Sequence, residues 1–242
     1  MKRADQVLVE QGHAASRSEA QAAIHAGLVK VNGEVLAKAS KSLADDAAIE
    51  YRKPHPFVSR GGVKLAAAVE HFQLSSEDRI CLDIGASTGG FTEVLLMGGA
   101  ARVYAIDVGH GQMHPRISRD RRVVAKEGIN ARDLSPLHVP EAPQAITADV
   151  SFIGLQLALP PALTMAAPGA WLVALVKPQF EVGRLKLGRG GIVRDLEAQM
   201  EALSTIKSFI SAQSRWAVLG HIDSPILGGE GNREFLVAAQ KS

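Results

Sequence analysis

Four charged side chains in this 242-residue chain stand where an element is expected to begin or end. They are Lys64 in "SRGGVKL", Asp149 in "ADVSF", Lys177 in "LVALVKPQFE" and Glu234 in "GGEGNREFLV". Lys64 is expected at the first turn of a helix, Asp149 and Lys177 at strand ends, and Glu234 at the mouth of the last strand, the kind of position where functional side chains collect. Two lysines and two carboxylates brought together suit proton abstraction from a hydroxyl. A lysine titrates at about 10.4 and works as a base only once burial or a neighbouring cation lowers it. Lys64 close to Lys177 would supply that cation, with Asp149 and Glu234 orienting the pair. Taken singly, each of the four reads more readily as a structural residue, a lysine at a strand end being usually a solvated cap.

Any such chemistry needs a second reactant, and "CLDIGASTGGFTEVLL" (residues 81–96) is where one would sit. An apolar strand ending at Asp83 runs into Gly85, Gly89 and Gly90 and then a helix. Glycines let the backbone approach a ligand, and the helix start offers unpaired N–H groups. A dinucleotide fingerprint fails because Ser87 stands where its second glycine belongs. The phosphate-cradling pattern fails too, since no Gly-Lys-Ser/Thr follows. What remains is D-x-G-x-x-x-G-G with a second strand ending in Asp107, 24 residues on, a spacing that suits a carboxylate reaching ribose hydroxyls. An adenosine carried without pyrophosphate fits best, and S-adenosylmethionine is the candidate. The plain alternative is a structural strand–turn–helix with a chance glycine pair.

The elements that must position these residues alternate. "RICLDIG", "RVYAIDVG", "QAITADVSF" and "WLVALVK" are short apolar runs with helix-length segments between them, which predicts a parallel sheet covered on both faces. "EFLVAAQ" is a further strand, read as a late antiparallel one. Residues 1–51 form a different unit. "DQVLVEQG" is a helix closed by Gly12. Ser16 and Glu19 have capping-box spacing at the start of a second helix, which Gly27 ends. Asn32-Gly33 between apolar runs predicts a hairpin, and "AAIEY" a further short strand. Residues 52–60 read as a linker and 61–242 as the second domain.

Composition sets looser bounds. A hydrophobic content of 46%, a charged content of 21% and a net charge of +2 fit a globular chain with a real core, and neither announce nor exclude a nucleic-acid partner. The single cysteine, Cys81, lies in an apolar run and fits a buried hydrophobe in a reducing compartment. With no signal-type apolar core at the N-terminus, the expected location is cytoplasmic. Residues 150–176 carry no charge, yet Pro160-Pro161 and Pro168-Gly169 break the stretch, so it reads as buried helix, turn and central strand rather than a membrane span. His110 and His114 in "GHGQMH" have no acidic or Cys partners nearby and no metal is assigned to them. Glu181, Arg184, Lys186 and Arg189 frame a basic glycine-rich loop that reads either as a phosphate grip or as a surface loop.

In order along the chain, "SRSEAQAAI", "GLVKVNG" and "KS" resemble the small S4-like RNA-binding domain, and the remainder resembles the FtsJ-like ribose methyltransferases. Together with "VSRGGVKL", "LDIGASTGGFT", "ADVSFI", "LVKPQFE" and "EGN-EFL", the whole chain is similar to the TlyA (hemolysin A) family. That resemblance implies a Rossmann-like methyltransferase sheet with a small N-terminal α+β RNA-binding domain, and S-adenosylmethionine-dependent 2′-O-methylation of cytidine in ribosomal RNA. It implies the catalytic set Lys64, Asp149, Lys177 and Glu234. It also implies a donor site over Asp83, Gly85, Ser87, Thr88, Gly89, Gly90, Phe91, Asp107, Asn130 and Asp149. The sequence departs from the family pattern at His110, commonly Tyr, at "EGIN" (Glu127 to Asn130), commonly "ERTN", and at Gly154, commonly Ser.

The expected partners are ribosomal RNA or ribosomal subunits, with no stable membrane association and an undetermined oligomeric state. RNA phosphates are candidates for Arg3, Arg17, Lys30, Lys38 and Lys41, with Arg60 and Arg184 beyond that domain. A base-amine methyltransferase would want a motif such as Asn-Pro-Pro-Tyr where this chain has "ADVSF", and carbon methylation would want a cysteine elsewhere than position 81. A non-catalytic ribosome-binding factor and a membrane-lytic protein remain as alternatives.

Overall fold

A computed structural model describes residues 2–14, 16–44, 46–183, 187–228 and 231–242. The chain divides into two compact units, Met1–Pro56 and Phe57–Ser242. The division falls inside the 52–60 stretch read as a linker.

In the first unit, β1 (Lys2–Arg3) leads into α1 (Ala4–Glu10), then α2 (Arg17–His25), β2 (Val29–Val31), β3 (Glu34–Val35), β4 (Ser42–Leu43) and β5 (Ile49–Tyr51). The Ser16 hydroxyl accepts from Glu19 N–H at 3.2 Å and so caps α2, while the Glu19 carboxylate takes the Tyr51 hydroxyl at 3.2 Å. Asn32 and Gly33 both have positive φ, the two-residue turn that closes the β2–β3 hairpin with Val31 opposite Glu34. Leu8, Ile24, Val29 and Leu36 fill a small core of their own.

The second unit is built on one seven-stranded sheet. Its elements are α3 (Arg60–His71), β6 (Ile80–Ile84), α4 (Gly90–Met97), β7 (Arg102–Ile106), α5 (Pro115–Ser118), β8 (Val123–Lys126) and β9 (Ala145–Ala148). They continue with α6 (Leu155–Ala158), α7 (Pro160–Met165), β10 (Trp171–Val176), α8 (Pro178–Glu181), α9 (Leu196–Ser211), β11 (Trp216–Asp223) and β12 (Phe235–Lys241). The strand order is β11-β12-β10-β9-β6-β7-β8, parallel from β10 to β8, with β12 antiparallel to both its neighbours. Alternate strand residues face opposite layers. Leu82, Ile84, Ile146, Leu172 and Phe235 pack with α6, α7 and α9. Cys81, Val103, Val173, Leu175 and Leu236 pack with α3 and α4. Each fully buried leucine of this kind contributes about 2 kcal/mol. This is the Rossmann-like, doubly covered sheet that the alternating pattern predicts.

The uncharged stretch 150–176 folds as α6, α7 and the central strand β10, with Pro160 and Pro161 in the first turn of α7, where a missing N–H is harmless. No described helix is long and apolar enough to cross a membrane. Lys64 falls on the second turn of α3 rather than the first, because the helix already begins at Arg60.

Candidate functional site

The chain turns to one side after β6, into β7 and β8, and to the other at β9, so a crevice opens at the carboxyl ends of β6 and β9. A cleft of about 1080 Å³ lies there, lined by Ile84, Gly85 and Ser87, by Ile106 to Gly109, Ile129 to Arg132 and Asp149 to Gly154, and closed by Gln179, Phe180 and Val182 among others.

Backbone geometry shapes its floor. Gly85 has φ +80°, and a Cβ there would lie 2.4 Å from the Asp149 carbonyl oxygen. Ser87 is also left-handed, with φ 45°. It is held from two sides, its N–H donating to Asp107 Oδ2 at 2.8 Å and its hydroxyl to Gln112 Oε1 at 3.0 Å. Asp107 Oδ1 accepts from Gly109 N–H at 2.7 Å. Each Asp107 oxygen keeps a lone pair for a ligand hydroxyl. Asn130 lines the cleft and caps the short turn 131–133 by accepting from Arg132 N–H at 3.1 Å.

Several expected donor contacts stand behind this surface instead. Asp83 is fully buried beneath the turn, accepting the Thr92 hydroxyl at 2.6 Å and the Thr147 hydroxyl at 2.8 Å. It does not line the cleft but fastens α4 and β9 to β6. Thr88 points outward and offers its carbonyl to His114 N–H at 3.1 Å. Gly89, Gly90 and Phe91 pack against neighbouring elements. A Cβ on Gly90 would strike Ser59 Oγ at 2.2 Å, and Phe91 is a core residue beside α3. Cys81 is buried, and burial pushes its thiol up to about 12, which suits a hydrophobe and not a nucleophile.

The departures near the cleft fit one another. A Cβ on Gly128, which has φ +71°, would come within 3.0 Å of His110 Nε2, so the histidine ring occupies space that a side chain at 128 would need. Glu127 Oε1 accepts from Gly111 N–H at 2.8 Å and ties the two segments together. His114 Nδ1 caps α5 through Arg116 N–H at 3.1 Å.

The four charged residues form two ion pairs, and of the four only Asp149 lines the cleft. Lys64 Nζ donates to Glu234 Oε2, both side chains being buried. Lys177 Nζ stands 2.6 Å from Asp149 Oδ1, at an angle outside hydrogen-bond geometry, and donates to the Ser151 hydroxyl at 2.9 Å. Val176 of β10 pairs with Phe235 of β12, so Lys177 and Glu234, one residue further out, leave the sheet at the same edge. Gly228 closes over Glu234, for a Cβ there would lie 2.4 Å from Oε1. Asn232, 2% exposed, accepts from Val193 N–H at 2.9 Å and donates to Gly191 O at 3.1 Å, which pins this loop.

Three cleft residues escaped the sequence reading. Ser151 sits inside the "ADVSF" motif, beside Asp149, and nothing in its type or spacing marks it as the acceptor for Lys177 Nζ. Phe152 is 92% exposed, has φ 65° and lies 5.3 Å from the Phe180 ring. Gln179 buries its Oε1 with no hydrogen-bond partner among the described residues. An orphaned oxygen of this sort is visible only in three dimensions.

The expected RNA contacts have mixed settings. In the first unit, the buried Asp5 carboxylate accepts from Arg3 Nε at 3.0 Å, Arg17 Nη2 at 2.9 Å and Gln21 Nε2 at 2.8 Å. Hydrogen bonding from Arg3 leads in holding Asp5 far below the usual carboxylate range. Both guanidiniums stay about half exposed, so they are aimed rather than consumed. Lys30 lies 3.6 Å from Glu50, and Lys38 and Lys41 are exposed. Arg60 opens α3 in the second unit, half-buried. Arg184 and Lys186 lie outside the described residues, as does the side chain of Arg189.

Known proteins align with this arrangement. The FtsJ-like methyltransferase family matches residues 57–241, and the S4 domain residues 2–46. The 16S/23S rRNA (cytidine-2′-O)-methyltransferase TlyA of Mycobacterium tuberculosis is 42% identical over 238 residues, 97% of this chain and 88% of that protein. Hemolysin A of Brachyspira hyodysenteriae is 40% identical over 235 residues, 97% of this chain and 98% of that one. A solved chain from Streptococcus thermophilus bearing a hemolysin name matches with a TM-score of 0.78 at 41% identity, over 100% of this chain and 88% of its own.

Proposed function

The chain belongs to the TlyA (hemolysin A) family of FtsJ-like methyltransferases, and on that premise we propose that it methylates the 2′-hydroxyl of a cytidine ribose in ribosomal RNA. S-adenosylmethionine, when bound, supplies an electrophilic methyl group on a sulfonium. The cleft suits that donor. The Gly85 cradle admits a close approach, Asp107 offers acceptors for ribose hydroxyls, and Ile106, Val108 and Ile129 give an apolar wall for an adenine.

The observation that carries the reading is the pair of ion pairs, Lys177–Asp149 and Lys64–Glu234, at the sheet edge that holds the cleft. Lys177 is the general base. Asp149, which lines the cleft, and Ser151 hold its Nζ, and the neutral amine takes the ribose hydroxyl proton as the hydroxyl oxygen bonds to the methyl carbon. Lys64 and Glu234 neutralise one another in the buried position and fix the wall behind. Because methyl transfer is an in-line displacement, holding hydroxyl and donor in register supplies much of the rate. The exposed Phe152 ring offers a face on which an extruded base can stack. The S4 domain holds structured RNA through phosphate contacts from Arg3, Arg17, Lys30, Lys38 and Lys41. A cytoplasmic location follows from that substrate.

Labelled-methyl transfer to ribosomal RNA and to ribosomal subunits tests this directly. Lys177→Ala is expected to lose about 10²–10⁴-fold in kcat while still binding S-adenosylmethionine. A non-catalytic ribosome-binding factor would instead bind RNA and transfer nothing. A lytic protein would break vesicles regardless of these four residues.

A further inference from the structure

Helix α6 begins without a capping side chain of its own. Its N-cap is Gly154, with φ −73° and ψ 147°, a conformation in which Ser, Thr, Asp or Asn ordinarily accepts a first-turn N–H. Leu155 N–H is taken instead by Glu181 Oε1 at 2.9 Å, reaching over from the last residue of α8. The fit is close, since a Cβ at Gly154 would lie 3.2 Å from Glu181 Oε2 and 3.6 Å from Phe180 O.

The residues between this cap and β9 are those beside the proposed base. Ser151 accepts from Lys177 Nζ, and Phe152 adopts its left-handed backbone with the ring out in the cleft. Left-handed φ is unfavourable for phenylalanine and persists only where the surroundings hold both flanks. One flank is held by the Lys177 contacts to Asp149 and Ser151. The other ends at Leu155, and Glu181 holds it. Both anchors come from the β10–α8 segment, so the turn 150–154 is stretched between two points of a single neighbour.

We infer that Glu181 is a positioning residue for methyl transfer: by capping α6 from α8 it fixes the 150–154 turn, and with it the placement of Ser151 and Phe152 beside Lys177. This deepens the function proposed above and rests on it. Glu181 acts through the turn, with Lys177 and Asp149 left to the chemistry.

The test uses the full chain with Glu181→Gln, Glu181→Ala and the double variant Glu181→Ala/Gly154→Ser. Methyl transfer to ribosomal RNA, donor affinity and amide exchange across 150–158 are measured for each. Glu181→Gln keeps an acceptor oxygen and stays within about threefold of wild type. Glu181→Ala loses about tenfold in kcat with donor affinity unchanged, and its 150–158 amides exchange faster. In the double variant, an N-cap hydroxyl in the space that Glu181 vacates recovers most of that loss. A Glu181→Ala protein with wild-type kcat overturns the inference, and so does a loss that Gly154→Ser leaves in place. If Glu181→Ala does not fold, Glu181→Asp, one methylene short of Leu155, replaces it under the same two criteria. Wild-type protein that transfers no methyl group to any RNA sinks the parent reading and this inference with it. Wild-type transfer with an indifferent Glu181→Ala sinks this inference alone.

Discussion

Both oxygens of Asp83 accept threonine hydroxyls inside the sheet, and burial raises its pKa to about 6 despite those bonds, with the Asp149 charge adding to the shift. A carboxyl raised on folding takes up its proton more readily in the native chain than in the unfolded one. The stability this contributes is fully present below the unfolded value of about 3.9 and is lost as pH rises through about 6, a swing of about 2–3 kcal/mol. Asp83→Asn removes the titration. Thermal melts of wild type and variant from pH 4 to pH 7.5 are expected to shift in the variant's favour toward neutral pH, and a pH-independent gap would contradict the assignment. As the first acid of the D-x-G motif, Asp83 was legible as important, though its role was not. The motif marks a strand end, and only the packing of Thr92 and Thr147 shows that the carboxylate turns inward. Asp149, Lys177 and Glu234 were legible as positions, because charged residues flanking apolar strands leave the sheet at its edge, whereas their proposed roles were not.

Strands β6, β7, β9 and β10 and the antiparallel β12 were readable as near-continuous apolar runs because the sheet buries them on both faces. Sequence alone did not announce β8 and β11. They are the edge strands, partly exposed, β8 having only three apolar residues before Lys126 ends it and β11 being interrupted by Gly220 and His221, so no long apolar run marks them. The two-residue strands β1 and β4 depend on pairing with each other and have no local signal at all. At the junction of β6 and α4, the glycine turn is constrained by close approach to β9. Gly85→Ala would place a methyl group 2.4 Å from the Asp149 carbonyl oxygen in a backbone with φ +80°. The expected cost is about 2–4 kcal/mol, read by denaturant unfolding, together with loss of donor binding by calorimetry. Unchanged binding would show that this turn is not the donor's floor.

The two units differ in what they carry. The first has a ten-residue-scale core and exposes Lys38 and Lys41, with Arg3 and Arg17 steered by one buried aspartate. The second spends its sheet on holding a cleft and two ion pairs. The central claim joins them: a lysine at the carboxyl edge of the sheet deprotonates a ribose hydroxyl of ribosomal RNA beside a bound sulfonium. Mass mapping of ribosomal RNA incubated with this protein and S-adenosylmethionine measures that outcome most directly. The expected result is a new 2′-O-methyl group on cytidine, made by wild type and absent with Lys177→Ala. A methyl group on a base, or an equal ribose methyl from Lys177→Ala, would contradict it.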